Sequence, residues 1–361
     1  MSRQQHNAVL LPAAGVALKV GQRATPTPGP GQVLVRNQSV GFNPVDVFMT
    51  KTGFQVGSYG YPAVIGADGA GTIAELGEGV TGWKIGDRVL YQSAFDPDRG
   101  TFQELTIADA ERVAGIPKNL SYEEAATVPL TLATAAIGAY QAKSDVLRPD
   151  GQDVGGAGLT PPWEEGGRGK YEGKVALVIG GSSSVGQYAI QLAKLSGFST
   201  IITTASKHNE AYCKSAGATH VIDYHIVPYA ELSAEVKAIV GDKPLTYIYD
   251  AISSAESQKA SWEALSPGGA LVVVLPASTD IGKPGKDDEN GRRVVAVFGT
   301  VNDPENWAFG KKLYGALPGL LEKGELRPHK IENVGKGLEA VLKGVERLEK
   351  GISGVKLVAS L

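Results

Sequence analysis

The sequence predicts an α/β protein of two domains, a partly open β-barrel and a doubly wound parallel sheet. The chain has 361 residues, more than a single hydrophobic core usually serves. Short strands punctuated by glycine fill residues 8–115, whereas strands alternate with helix-length segments from residue 174 onward. The apolar run Val175–Ile179 leads through Gly180-Gly181 into a helical pattern that stops at Gly197, as in a strand–turn–helix unit of a parallel sheet.

The composition is that of an ordinary globular protein, with 42% hydrophobic and 20% charged residues. A net charge of −3 gives no electrostatic footprint for nucleic acid or an anionic membrane. The first residues lack an apolar signal core, and no apolar run reaches the ~18 residues of a membrane span. The single cysteine, Cys213, excludes an internal disulfide and a cysteine-cluster metal site. We therefore expect a cytoplasmic protein that binds neither nucleic acid nor membrane.

In the first half of the chain, three segments have strand character and two have helix character. The strand segments are 33–40, broken by Asn43-Pro44, then 65–77 and 86–90; the helices begin at the capping box Ser121–Glu124 and span 130–143. Residues 148–173 have no periodicity and predict a surface loop. The second half alternates strands and helices. Its strand candidates are Thr200–Thr204, Val221–Tyr224, Tyr247–Ala251, Ala270–Leu275 and Val294–Phe298; helices 307–323 and 335–349 and strand 355–360 follow.

The terminal strand is expected to return to the first domain, which makes that domain discontinuous. We predict a catalytic domain of residues 1–130 and 303–361, and a nucleotide-binding domain of residues 131–302. The turn after Val175–Ile179 identifies the nucleotide site, because small residues let backbone N–H groups approach a phosphate at a helix N-terminus.

The loop after the second strand of the nucleotide domain favours NADPH over NADH. NAD-selective sites usually place an acid about 20 residues past the glycine turn. Here Ser206, Lys207 and Asn209 come first, and no acid occurs until Glu210. Lys207 supplies positive charge, the two polar side chains can bond phosphate oxygens, and Tyr224 is placed to close the pocket.

The chain resembles the medium-chain dehydrogenase/reductase superfamily in segments 43–46, 65–71, 86–89, 100–104 and 180–186. Within that superfamily, Ser206–Asn209, Ala216–Ala218, Val221–Tyr224 and Ile352–Leu357 resemble zinc-free fungal enoyl reductases, including the trans-acting reductases of polyketide synthesis and their toxin-cluster relatives. The resemblance implies a GroES-like catalytic domain and a Rossmann NADPH-binding domain. It also implies an oxidoreductase related to quinone oxidoreductases.

Alcohol dehydrogenases of this family hold catalytic zinc with a cysteine and with the histidine of a Gly-His-Glu turn. The corresponding positions here read Asn43-Pro-Val-Asp46 and Gly66-Ala-Asp68, which supply neither thiolate nor imidazole. The four-cysteine structural lobe is also missing. We expect no metal, and without a Lewis acid the chemistry left is hydride addition to an activated C=C bond, whose carbonyl spreads the charge as an enolate.

The resemblance also implies the site residues. Those assigned to the cofactor are Val45, Asp46, Phe48, Ser182, Ser183, Ser184, Val185, Ser206, Lys207, His208, Asn209, Tyr224, Leu275, Pro276, Ile352 and Ser353. Those assigned to the substrate are Thr134, Val294 and Phe298, and Phe48, Phe54 and Phe298 would make the pocket aromatic. A catalytic acid is not assigned, because relatives carry a tyrosine or a lysine where this chain has Phe54 and Phe48. Tyr59, Tyr61, Tyr91 and water are left as proton sources.

The sequence leaves several functions open. The leading hypothesis is an NADPH-dependent reductase of a hydrophobic enone or enoyl thioester, either free or bound to a carrier. The alternatives are an NADPH:quinone oxidoreductase, a non-catalytic NADPH-binding protein of the crystallin or scaffold type, and a redox-neutral or oxidative step on a biosynthetic intermediate. Many relatives dimerise through the strand equivalent to 294–298, but the acidic run Asp287–Glu289 just before it favours a monomer.

Overall fold

A computed structural model describes residues 4–56 and 59–361. Residues 1–3 lie outside the described part. They belong to the predicted catalytic domain and to the N-terminal segment for which the sequence predicts no signal core. The described strands are β1 (Gln5–Leu10), β2 (Lys19–Ala24), β3 (Gln32–Gly41), β4 (Asp68–Leu76), β5 (Arg88–Gln92), β6 (Leu105–Asp109), β7 (Val113–Gly115), β8 (Val175–Ile179), β9 (Thr200–Thr204), β10 (His220–Ile222), β11 (Tyr247–Asp250), β12 (Ala270–Val273), β13 (Arg293–Ala296), β14 (Ile331–Lys336) and β15 (Lys356–Ser360).

The described helices are α1 (Pro44–Thr52), α2 (Tyr122–Ala125), α3 (Pro129–Tyr140), α4 (Ser184–Leu195), α5 (Glu210–Ala216), α6 (Leu232–Val240), α7 (Ala255–Ala264), α8 (Trp307–Glu322) and α9 (Leu338–Glu349). Among residues 4–56 and 59–361, none of these helices combines the length and apolar character that crossing a bilayer requires. The expectation of a cytoplasmic location stays a prediction.

The chain divides into two compact units. Unit 1 is Met1–Leu130 with Val301–Leu361, and unit 2 is Thr131–Thr300. The sequence placed the second boundary two residues later, after residue 302.

Unit 1 is built on an open, mostly antiparallel sheet in the order β14-β15-β3-β4-β5-β7, with β6 also paired to β3. The ten-residue β3 makes this possible, because its first half pairs with β6 and its second half with β15. The return of the terminal strand to the first domain is thereby confirmed, since Val358 lies opposite Gly41. One apolar core lies between this sheet and α9, with Phe42 and Phe102 in ring contact at 5.4 Å.

Unit 2 is a six-stranded, all-parallel sheet in the order β10-β9-β8-β11-β12-β13. The doubly wound prediction is confirmed. Every side chain of β8 is buried, as a central parallel strand requires, and each such burial contributes roughly 1.5–3 kcal/mol.

The structure corrects some element predictions. Asn43-Pro44 does not merely end a strand; it begins α1, because Asn serves as N-cap, Pro44 fits the first helical position and Asp46 accepts a hydrogen bond from the Asn43 N–H. The helix predicted from residue 335 begins at Leu338, and Gly335 belongs to β14, a mostly exposed strand that the sequence did not predict. The strand predicted to reach Tyr224 ends at Ile222.

Candidate cofactor and active site

The turn between β8 and α4 has the geometry of an anion cradle. Gly180 takes a φ of 75°, and a Cβ on Gly186 would lie 2.2 Å from the Gly180 carbonyl oxygen. Ser183 caps α4, since its hydroxyl accepts a hydrogen bond from the Gly186 N–H at 3.0 Å. Ser182, Ser183, Ser184 and Val185 remain partly exposed at this helix N-terminus. This arrangement fits the pyrophosphate of a dinucleotide.

The loop after β9 places Lys207 next to two carboxylates. Its ammonium pairs with Glu210 Oε2 at 2.5 Å, and its backbone N–H donates to Asp223 Oδ2 at 3.2 Å. Asp223 arrives from the neighbouring strand, because β10 pairs parallel with β9 and their following loops adjoin. Asp223 was not among the predicted site residues, because its closeness to Lys207 depends on the pairing of two strands.

The remaining side chains of this loop face one another. Ser206 and Asn209 are buried, with Asn209 Nδ2 3.4 Å from Ser206 Oγ and 3.2 Å from His208 Nε2. Tyr224 is half-exposed, and its ring lies 4.3 Å from the ring of His225.

A second loop at the carboxyl edge of the parallel sheet is organised by Asp250, the final residue of β11. Its carboxylate accepts hydrogen bonds from the N–H groups of Ile252 and Ser253, at 3.0 and 2.7 Å, and from the Ser257 hydroxyl at 2.7 Å. Burial raises the pKa of Asp250, whereas these hydrogen bonds lower it. They hold Ser253 at a φ of 54°, which is uncommon for a residue with a side chain. The sequence analysis did not assign this loop a role. The pattern that could have indicated it is an aspartate at the end of a strand with two serines, Ser253 and Ser254, shortly after it.

The loop of Asp250 leaves apolar surface at the edge where ligands bind in such sheets. Ile252 is exposed there, and its side chain fills the space above Gly180, where an added Cβ would lie 2.5 Å from Ile252 Cδ1. Leu275 and Pro276, which the sequence assigned to the cofactor, follow the neighbouring β12 and are also exposed.

The three residues assigned to the substrate pocket differ in their exposure to solvent. Val294 is fully buried in the core of unit 2 and offers no exposed surface, and its assignment to the substrate pocket stays a prediction. Thr134 is also mostly buried, and its carbonyl accepts a hydrogen bond from Tyr249. Phe298 is partly exposed, with the Arg148 guanidinium 3.9 Å from its ring centre.

In unit 1, the first two turns of α1 carry Val45, Asp46 and Phe48. Phe48 is half-exposed and contacts the ring of Phe54 at 5.2 Å, and Val45 is partly exposed. Asp46 has no exposed surface; one carboxylate oxygen accepts from the Asn43 N–H and the other, Oδ1, has no hydrogen-bond partner. Burial raises the pKa of Asp46 to about 8. Its carboxyl offers no exposed surface to a ligand, and its assignment to the cofactor stays a prediction.

The other assigned residues of unit 1 lie in loops or the sheet. Ile352 packs partly against the core, and Ser353 is exposed, both between α9 and β15. Among the tyrosines, Tyr59 and Tyr61 are exposed. Tyr91 is fully buried and its hydroxyl donates to Asn37 at 2.6 Å, so it cannot reach a substrate.

The two segments that resemble the zinc-binding segments of alcohol dehydrogenases, around Asn43 and Asp68, contribute to a buried ion-pair cluster. Lys356 Nζ lies 3.0 Å from Asp68 Oδ2 and also donates to Asn43 Oδ1, while Asn43 Nδ2 donates to Asp68 Oδ2 at 2.8 Å. The other Asp68 oxygen accepts from the Leu130 N–H at 2.6 Å. All three side chains of this Lys356 cluster are buried.

The Lys356 cluster does not fit zinc. It offers neither sulfur nor imidazole, and its single carboxylate already neutralises an ammonium group that would repel a metal ion. Among the residues that the structure describes, no group of three histidine, cysteine, aspartate or glutamate side chains is placed to hold a metal.

Comparison with known proteins identifies similar chains. Residues 29–118 match the family model described as alcohol dehydrogenase GroES-like domain, and residues 184–305 match the one described as zinc-binding dehydrogenase. The chain is 32% identical to the trans-enoyl reductase tndF of Aspergillus flavipes, over 99% of both chains, and 32% identical to the trans-enoyl reductase RAP2 of Pyricularia oryzae, over 95% of both. A solved NAD-dependent alcohol dehydrogenase superposes with a TM-score of 0.76 at 25% identity, covering 98% of this chain and 99% of that one.

Proposed function

Because this chain belongs to the medium-chain dehydrogenase/reductase superfamily, we propose that it is an NADPH-dependent reductase, independent of zinc, acting on the activated C=C bond of an enone or enoyl thioester. The observation that carries the proposal is the Lys356 cluster, in which Asn43 and Asp68, from the two segments where zinc-dependent relatives carry their cysteine and histidine ligands, bind a buried ammonium group. The names of the similar fungal proteins support the enoyl class of substrate.

Family membership implies a nicotinamide cofactor, and we propose the phosphate-bearing form because Lys207 is the first charged residue after β9. The cradle of Gly180, Ser183 and Gly186 would hold the pyrophosphate, with the N-terminus of α4 supplying N–H donors. Lys207, whose ammonium pairs with Glu210, and Tyr224 are the side chains that we propose meet the 2′-phosphate. In unit 1, Val45 and Phe48 present apolar surface in the first two turns of α1, where the resemblance assigns the nicotinamide.

NADPH would supply the hydride, and the residues of this chain would orient the substrate and exclude water. Addition of a hydride to the β-carbon would move the π electrons onto the carbonyl as an enolate, which would take a proton at the α-carbon. Conjugation spreads the enolate charge without a metal ion. We assign the proton to water or to one of the exposed tyrosines, Tyr59 and Tyr61, since Tyr91 is buried and Asp46 has no exposed surface.

We also propose that the protein is a monomer, because its own chain covers the free edge of β13. Asp153 exchanges hydrogen bonds with Ala296: its N–H donates to the Ala296 carbonyl at 2.8 Å and its carboxylate accepts from the Ala296 N–H at 2.6 Å. Arg293, on the same strand, pairs with Asp145 and Asp287. A second copy could not pair with this edge without displacing these contacts. Sedimentation at micromolar concentration is expected to give a monomer, and a dimer would contradict the proposal.

The activity is tested with purified protein, NADPH and three acceptors, in the presence of a metal chelator. The acceptors are a short enoyl pantetheine thioester, a cyclic enone and a benzoquinone. We expect NADPH oxidation that persists with the chelator and a product that gains two hydrogen atoms across the C=C bond. Reduction of the quinone alone would identify a quinone oxidoreductase. Tight NADPH binding with no turnover on any acceptor would identify a binding protein.

A further inference from the structure

Both nitrogen atoms of Lys207 that could meet a phosphate are held by carboxylates. The side chain is 77% exposed, yet its ammonium lies 2.5 Å from Glu210, and the backbone N–H donates to Asp223. The single cation that the sequence offers to a 2′-phosphate is therefore neutralised within its own loop. This restraint was not visible from the order of residues in the sequence, which showed only that no acid precedes Glu210.

Glu210 is shared between two ammonium groups. Its second oxygen lies 2.7 Å from Lys214 Nζ, one turn further along α5. Hydrogen bonds from Lys207 and Lys214 lower the pKa of Glu210 to about 2, so the carboxylate stays charged at any physiological pH. The two lysines lie three residues before and four residues after Glu210, spacings at which side chains are neighbours on a helical surface.

Asp223 is fixed independently of Glu210. Its other carboxylate oxygen accepts a hydrogen bond from the His225 N–H at 3.0 Å, in the turn that follows β10. The pairing of Ile222 with Thr204 brings this turn beside the loop of Lys207. Two negative charges from different elements therefore border the same lysine, at the end of the strand where nicotinamide enzymes choose between a ribose hydroxyl and a ribose phosphate.

We propose that Glu210 and Asp223 are specificity-determining residues that limit the preference of this chain for NADPH over NADH. A phosphate at the ribose must share or displace the Glu210 carboxylate to reach Lys207, and both carboxylates repel its charge. A ribose hydroxyl meets no such penalty. The inference rests on the proposed cofactor site and adds that its preference for phosphate is weaker than Lys207 alone would give.

The test measures the dissociation constants of NADPH and NADH for the wild type and for Glu210→Gln, by titration calorimetry at low ionic strength. The glutamine keeps the size of the side chain and removes its charge. We expect NADPH to bind about three- to tenfold more tightly to the variant, with NADH changed less than about twofold, because an exposed charge contributes on this scale. The NADPH effect is expected to shrink at high salt.

Glu263→Gln is the matched control, since Glu263 also forms an exposed pair with a lysine four residues away, Lys259, on α7. It changes the net charge equally and is expected to leave the ratio of the two affinities unchanged. Asp223→Asn is the second variant and is expected to shift the ratio in the same direction as Glu210→Gln.

Unchanged or weaker NADPH binding by Glu210→Gln, or an equal gain for both cofactors, would overturn the inference. An effect of equal size in the Glu263→Gln control would do the same, because it would reflect net charge alone. The proposed function is judged separately by the wild type. If the wild type binds NADH more tightly than NADPH, the proposed cofactor fails, while a selective gain for NADPH in Glu210→Gln still supports the role of Glu210.

Discussion

Replacing Asp46 by Asn is expected to remove a pH-dependent loss of stability. The carboxyl is wholly buried, and burial raises its pKa from 3.8 to about 8 in the folded protein. The unfolded chain releases this proton near pH 4, whereas the folded chain retains it until about pH 8. The contribution of Asp46 to stability is therefore fully present below pH 4 and is lost as the pH rises toward 8.

The size of the effect follows from linkage. Each pH unit between the two pKa values costs about 1.4 kcal/mol, so the wild type loses roughly 4 kcal/mol by pH 7 through this one group. Asparagine cannot ionise and keeps an oxygen to accept from the Asn43 N–H, which lies 2.8 Å from Asp46 Oδ2. Its amide replaces the unpartnered Oδ1, at a cost of roughly 1–3 kcal/mol that does not vary with pH.

The assay is urea unfolding of the wild type and Asp46→Asn, followed by circular dichroism at several pH values from 5 to 8.5. The difference in free energy of unfolding should grow in favour of the variant by about 1.4 kcal/mol per pH unit up to pH 8, then level off. Asp242→Asn, at an exposed aspartate of unit 2, should follow the wild type. A constant difference between wild type and Asp46→Asn across the range would refute the reasoning, since Asp46 would then be ionised in the folded protein.

Three further predictions concern the described sites. Lys356→Met should destabilise the protein by about 3–5 kcal/mol, because it leaves Asp68 charged and buried, and combining it with Asp68→Leu should recover part of the loss in thermal unfolding. Gly186→Ala should abolish measurable NADPH binding in a calorimetric titration while the protein still folds, since the new Cβ would meet the Gly180 carbonyl at 2.2 Å and move the turn. Tyr91→Phe should lower the free energy of unfolding by about 1–3 kcal/mol but leave the turnover number and its pH dependence unchanged. If the variant loses the fall in turnover number at alkaline or acidic pH that the wild type shows, this buried hydroxyl takes part in the reaction.

The sequence predicted those features that depend on local pattern. The apolar run of β8, the glycine turn and the apolar face of α4 lie within about twenty residues. A strand, a turn and a helix can therefore be predicted from the local order of residues. The capping box at Ser121 is equally local and is present as predicted. The start of α1 was local too, but proline at the first helical turn was interpreted only as a breaker.

Features that depend on distant partners could not be predicted in this way. Lys356 lies inside the predicted terminal strand and was assigned no role, because its partners Asn43 and Asp68 precede it by most of the chain. Asp223 adjoins Lys207 only through the pairing of two strands, and Val294 was assigned to a pocket although it faces a core that the sequence does not reveal. Pairing and burial are properties of the assembled sheet.

The pairing of β3 with β15 has a consequence for synthesis on the ribosome. Ser39 donates to the Ala359 carbonyl across 320 residues, and β15 separates β3 from β14 in the sheet. At roughly 5–20 residues per second, β3 waits on the order of tens of seconds for this neighbour, while the whole of unit 2 emerges between them. During that interval the second half of β3 has an open edge, and Asp68 lacks the cation that neutralises it. Nascent chains stalled before β15 should therefore bind chaperones through the first half of unit 1, whereas unit 2 can already form its parallel sheet.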